Sequence, residues 1–167
     1  MYGKLPNQFL LDSCSELKGG KVLCLAEGEG RNAVFLARMG YDVTAVDSSE
    51  VGMRKALDLA AESGVSINYR CEDLEHFAFD HDEWDGVVSI FAHLPQESRR
   101  KVHASVARTL APGGVMILEA YSPEQLDYGT GGPKDPAMLV DLDTLRSDFD
   151  GLEFGLARKI ERPVFEG

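Results

Sequence analysis

Apolar positions come in short continuous runs separated by stretches of helical spacing. The runs 21–26, 41–46, 65–71, 84–91 and 115–120 are too short for helices and read as strands. Between them, Asn32, Phe35, Leu36 and Met39 follow a helical period that Gly40 ends, and Met53, Leu57 and Ala60 mark the buried face of a helix capped by Ser48 or Ser49 and stopped by Gly64. Pro95 suits the first turn of a further helix, with Val102, Val106 and Leu110 on its core face. A leading helix over 8–17 precedes the first strand. Ala111-Pro112-Gly113-Gly114 breaks the chain before the fifth. A Gly- and Pro-rich loop fills 122–136, residues 142–149 read as a last helix, and 152–162 as a sixth strand.

Strands alternating with helices imply a doubly wound, mostly parallel Rossmann-like α/β sheet flanked by helices on both faces, built as one domain over 1–167. Near-continuous apolar strands such as 22–26 fit a sheet covered on both sides. Ligands of such sheets bind beyond the carboxyl ends of the strands. Glu27, Asp47, Glu72, Asp73 and the stretch Phe91, Ala92, His93 all fall there.

Composition narrows the function. With 44% hydrophobic residues the 167-residue chain reads as globular. No apolar stretch approaches the roughly 20 residues that span a bilayer, and the start lacks the pattern of a signal peptide, so the expected setting is cytoplasmic, without a membrane partner. A net charge of −11 opposes nucleic acid. The one basic cluster, Arg99, Arg100 and Lys101, reads as a solvated helix face. Three scattered cysteines, Cys14, Cys24 and Cys71, form neither a disulfide framework nor a zinc site. Cys24 reads as buried filler, and Cys71 as packing or a ligand-facing thiol. His76 and His81 lie in an acidic loop whose spacing matches no standard metal pattern, and no metal is expected. His103 reads as an exposed helix residue.

The chemistry concentrates at 27–33. Gly28 and Gly30, followed by Ala33, match G-x-G-x-x-[GA], a pattern shared by several nucleoside-binding families. Asp47, at the end of the second strand, can accept hydrogen bonds from ribose hydroxyls. Glu27 and Glu29 would repel a dinucleotide's pyrophosphate and attract an ammonium group. Glu72 and Asp73 can accept from an adenine amine.

Together, residues 22–32, 43–47, 71–74 and 110–118 resemble class I S-adenosylmethionine-dependent methyltransferases. Glu27 to Asn32, the stretch 6–10 and the loop 129–133 are similar to the small bacterial tellurite-resistance type. The resemblance implies S-adenosylmethionine as cofactor, with S-adenosylhomocysteine as product. Glu27, Gly28 and Gly30 would hold the methionine portion and Asp47 the ribose. Ser48 and Met53 would border the adenine, with Glu72 nearby. Asp73 and Leu74 would bind its amine and cover its face, and Ile90 and Ala92 would lie under the methionyl chain. Arg31 and Asn32 occupy the helix start, as ligand contacts or as a surface residue and a cap. His93 is the candidate base, or a polar loop residue; Tyr121, Tyr128 and the loop 129–133 are acceptor-side elements, or an ordered surface loop.

The expected reaction moves a methyl group to a small-molecule acceptor. A cofactor-binding module without turnover and an NAD-dependent oxidoreductase are the alternatives. Class I methyltransferases also carry a seventh, antiparallel strand for which no residues follow. The expectation is therefore a shortened chain whose strand six pairs with strand five, packs elsewhere, or exchanges with a second copy at the open sheet edge, giving a homodimer.

Overall fold

The computed structural model describes residues 3–164. Five strands carry the fold: β1 (Lys21–Leu25), β2 (Asp42–Asp47), β3 (Asn68–Cys71), β4 (Trp84–Ile90) and β5 (Leu110–Glu119). They form one parallel sheet in the order β3-β2-β1-β4-β5. The chain winds outward from β1 through β2 to β3, then returns to lay β4 on the other side of β1. The carboxyl ends of β1 and β4 thus flank the point where the winding reverses, where open sheets bind ligands.

Side-chain alternation splits each central strand between two cores. Val22 and Cys24 of β1 face a core shared with α1 (Gln8–Ser13), α2 (Arg31–Arg38) and α3 (Glu50–Glu62). Leu23 and Leu25 face the other, shared with α4 (Gln96–Thr109) and with Leu145 and Phe149, in and just after α6 (Leu142–Asp148). The doubly wound α/β architecture is thus as expected. Caps set the helix starts. The Asn7 side chain accepts from Leu10 N–H, Ser49 from Gly52 N–H and Asp141 from Thr144 N–H.

Several local expectations change. On α3 the buried positions are Gly52, Ala56 and Ala60, while Leu57 is exposed. Small residues let α3 press against the loop after β1. A Cβ on Gly30 would lie 2.4 Å from Ala56 Cβ, and one on Gly52 would lie 2.8 Å from the Gly28 carbonyl oxygen. Strands β1 and β4 stop one residue early because Ala26 (φ 49°) and Phe91 (φ 54°) turn the backbone into the left-handed region. β5 begins at Leu110, with 111–114 looped out between the pairs Trp84–Leu110 and Gly86–Val115. Within the Gly- and Pro-rich loop lie a short helix, α5 (Gln125–Tyr128), and the start of a 3₁₀ turn, Pro136–Met138.

The largest correction is at 152–162, which forms no strand. Its apolar residues Phe154, Leu156 and Ile160 are exposed. Without a strand beside it, the segment satisfies no ladder, and among the described residues β5 is an edge of the sheet, opposite β3.

Candidate functional site

The turn after β1 is built around a buried acid. Glu27 N–H donates to the Val46 carbonyl at 3.2 Å, tying the turn to the end of β2. The side chain folds inward, 9% exposed, and its Oε1 accepts the backbone N–H groups of Asn32 and Ala33, each at 2.9 Å. The α2 N-cap is Gly30, which has no side chain to offer, so Glu27 takes over the capping. No ion pair joins Glu27 among the described residues. Burial pushes its pKa up to about 7; the two N–H donors and Arg31 pull it down only in part, and Asp47 pushes it up further. A carboxylate perturbed this way in a cleft marks a functional-site candidate.

Gly28 and Gly30 serve different ends. Gly30 (φ 86°) is required by the packing of Ala56. Gly28 (φ 62°) faces open space, and a Cβ there would meet nothing within 4 Å. Its peptide is held on both sides. The N–H donates to Asp47 Oδ2 at 3.0 Å, and the carbonyl accepts from the Tyr69 hydroxyl at 2.6 Å. Asp47 Oδ1 accepts Ser49 N–H at 2.9 Å, so both its oxygens already order backbone.

Around this turn, Ser48 is exposed and Met53 half-buried on the first turn of α3. Cys71 points its thiol at the Ser48 carbonyl, 3.6 Å away. Glu72 is paired with Arg70. Asp73 is exposed and accepts Glu75 N–H at 2.8 Å. Leu74, 7% exposed, packs in the second core. Ile90 is buried in the first core, and Ala92 is half-exposed.

The ends of β4 and β5 supply an aromatic group that the sequence reading caught only in part. Phe91 N–H donates to the Glu119 carbonyl at 2.8 Å. The Phe91 ring stacks on Tyr121 with centroids 4.5 Å apart, and His93 lies 5.8 Å from Tyr121 and 6.5 Å from Phe91. Burial lowers the His93 pKa, which keeps the imidazole neutral at pH 7. Gly132 sits where a Cβ would meet the Tyr121 ring at 2.9 Å, so the loop 129–133 lies against that ring. Tyr128 does not join them; it is exposed.

A buried polar chain, missed from sequence, runs behind the site. Asn32 Oδ1 accepts Asn7 N–H at 2.9 Å, so Asn32 clamps the segment before α1 instead of capping its own helix. Asn7 Nδ2 donates to Glu119 Oε2 at 2.7 Å, and Arg162 closes on Glu119 Oε1 at 2.6 Å. Arg31, half-buried, reaches the Leu5 carbonyl at 3.5 Å.

Away from the site, α4 corrects two expectations. Arg99 and His103 are buried, not solvated, and both bind Asp148 Oδ2, at 2.8 and 2.9 Å. Arg100 and Lys101 are exposed as expected. His76 and His81 are exposed, and no group of three metal-ligating side chains occurs among the described residues. A cavity of about 310 Å³ lies at the opposite end of the sheet, lined by Lys21, Asp42, Asn68 and Trp84, which begin β1 to β4. Its charges are mixed and do not converge on one ligand. Among the described residues, no helix is long and apolar enough to cross a membrane.

Residues 22–114 match a family described as methyltransferase domain. A ubiquinone biosynthesis O-methyltransferase of Caulobacter sp. (strain K31) is 36% identical over 106 residues, covering 60% of this chain and 40% of that protein. The chain spans about two fifths of the length of such curated relatives. The solved structure of an S-adenosylmethionine-dependent methyltransferase from Clostridium acetobutylicum ATCC 824 superposes with a TM-score of 0.65 at 22% identity, covering 78% of this chain and 55% of that one, a likeness of fold. TehB from Haemophilus influenzae superposes with a TM-score of 0.61 at 26% identity, covering 68% and 40%.

Proposed function

The chain belongs to the methyltransferase-domain family, and we propose that it transfers the methyl group of S-adenosylmethionine to a small-molecule acceptor. The observation that carries this reading is Glu27, a buried acid with no ion pair among the described residues, set beside the open space at Gly28. An ammonium group there supplies the missing countercharge. A pyrophosphate would instead meet Glu27 and Asp47 with the same sign. Glu29 adds little to that discrimination, because Lys55 binds it at 2.5 Å.

In this reading Glu27, Gly28 and Gly30 hold the methionine portion, with Arg31 and Asn32 fixing the helix start. Asp47 takes the ribose. Ser48, Met53, Glu72 and Asp73 border the adenine, and Leu74 contributes backbone only. Ile90 and Ala92 underlie the methionyl chain. When bound, the cofactor supplies a methyl group already electrophilic on its sulfonium, so the protein's work is positioning. Phe91 and Tyr121 wall the acceptor side. Neutral His93 is able to take the proton of a hydroxyl acceptor; a thiolate or other soft nucleophile needs no base.

The narrower placement in the tellurite-resistance type is supported by the Glu27–Asn32 motif and by the likeness to TehB. The partners in this reading are the acceptor and a second copy along β5, in a cytoplasmic setting.

Calorimetry with S-adenosylhomocysteine, followed by transfer of labelled methyl to a panel of thiol, selenide and hydroxyl acceptors, tests the proposal. Micromolar binding and turnover of one acceptor class are expected. Binding with no turnover supports a binding module instead. Thermal stabilisation by NAD and not by S-adenosylhomocysteine overturns the reading.

A further inference from the structure

We propose that Tyr69 is a positioning residue for the methyl-donor site: its hydroxyl presets the Gly28 peptide, and through it the Asp47 carboxylate, for the cofactor. This inference rests on the function proposed above. Tyr69 lies on β3, paired in register with Ala45 of β2, and packs half-buried against the first core. Nothing in its sequence position marks it, since it stands two strands away from β1. Yet its hydroxyl donates to the Gly28 carbonyl at 2.6 Å. Gly52 adds a wall on α3, leaving no room for even a Cβ beside the same oxygen. On the other side of Gly28, the N–H is taken by Asp47 Oδ2 at 3.0 Å.

Three elements thus converge on the residue that faces open space. A left-handed peptide in a wide turn has freedom to flip; here its carbonyl is pinned and its N–H is committed to Asp47. The pinned turn is formed before ligand arrives, and preorganisation of this kind lowers the cost of binding. Burial, then the negative charges of Asp47, Glu27 and Cys71, push the hydroxyl pKa up, so Tyr69 remains a donor throughout the working range.

The test is Tyr69→Phe beside Tyr41→Phe, read by calorimetry with S-adenosylhomocysteine, steady-state kinetics and urea unfolding. Tyr41 also donates its hydroxyl to a backbone carbonyl, that of Leu17 at 3.0 Å, but outside the site. Tyr69→Phe loses one hydroxyl-to-carbonyl bond, and Tyr41→Phe loses a hydroxyl shared between the Leu17 and Cys14 carbonyls, at 3.0 and 3.3 Å. Tyr69→Phe is expected to weaken S-adenosylhomocysteine binding by about 5- to 10-fold, the equivalent of one hydrogen bond, and to raise KM for the methyl donor with little change in kcat. Tyr41→Phe is expected to lower stability alone. Gly52→Ala, which crowds the same carbonyl from α3, is expected to weaken binding in the same direction. A Tyr69→Phe protein that loses stability but binds like wild type overturns this inference and leaves the proposed function standing. A wild-type protein that does not bind S-adenosylhomocysteine overturns both.

Discussion

Glu27 and Asp148 are both acids drawn out of water, and the protein compensates them in opposite ways. Asp148, its side chain 4% exposed, is gripped by Arg99 and His103 from the face of α4, with the His103 ring stacked on Phe149. Glu27 has backbone N–H groups and, among the described residues, no ion-paired cation. The first arrangement is complete within the chain and locks α4 to α6. The second is unpaired: the carboxyl rests on backbone donors, and burial pushes its pKa up to about 7. A carboxylate left in this condition costs stability and is a candidate binding group.

The sharpest way to break that contrast is Asp148→Ala. The buried Arg99 guanidinium then loses its carboxylate and His103 its hydrogen-bond partner, and a loss of about 3–5 kcal/mol is expected in urea unfolding. A loss below about 1 kcal/mol would rank Asp148 with surface pairs and erase the distinction.

Glu27→Gln is expected to act the other way. The amide oxygen can still accept from Asn32 and Ala33, and no charge is buried. Above pH 7 the variant should gain about 2–3 kcal/mol of stability while binding S-adenosylhomocysteine at least tenfold more weakly. A Glu27→Gln protein that is less stable at pH 8 would mean that the cap, not the charge, dominates there.

The pH dependence is the finest test. The folded Glu27 carboxyl holds its proton up to about pH 7, against 4.5 when unfolded. The folded state therefore binds the extra proton, and Glu27 lowers stability progressively as pH rises from 4.5 through 7. The stability gap between Glu27→Gln and wild type should open across that window. Ligand affinity should run oppositely, rising about thirtyfold from pH 5.5 to 8 as Glu27 ionises. His103 contributes with the other sign: burial lowers its pKa despite Asp148, so its contribution is lost as pH falls below 6.5. A flat affinity profile would detach Glu27 from the ligand.

The contrast also shows what a sequence can carry. β1, β2 and β4 were legible because continuous apolar runs have few other uses. The acid, glycine and second acid of Glu27, Gly28 and Asp47 were legible because they sit at strand ends. Arg99 and His103 were misplaced although the information was present: they share a helical face with Val102 and Val106, at spacings of three and four. Their charge suggested solvent, and Asp148, the acid that permits burial, lies far along the chain. The segment 152–162 failed for the converse reason. Its apolar residues resemble a strand, but a strand is defined by a neighbour, and none lies beside it. Tyr69 and Glu119 carry no motif, and Asn7 only a place in the stretch 6–10; their roles arise only when distant segments meet.

That distance has a consequence in time. Asn7 and its acceptor Glu119 stand 112 residues apart. A ribosome adding about 5–20 residues per second needs roughly 6–22 s to span that interval. The two halves of this bond are therefore made far apart in time, although Asn7 N–H can already meet Asn32. Through those seconds the side-chain amide of Asn7 must be left to water or to another protein; α1 can dock on the first core early, and its tie to β5 closes last.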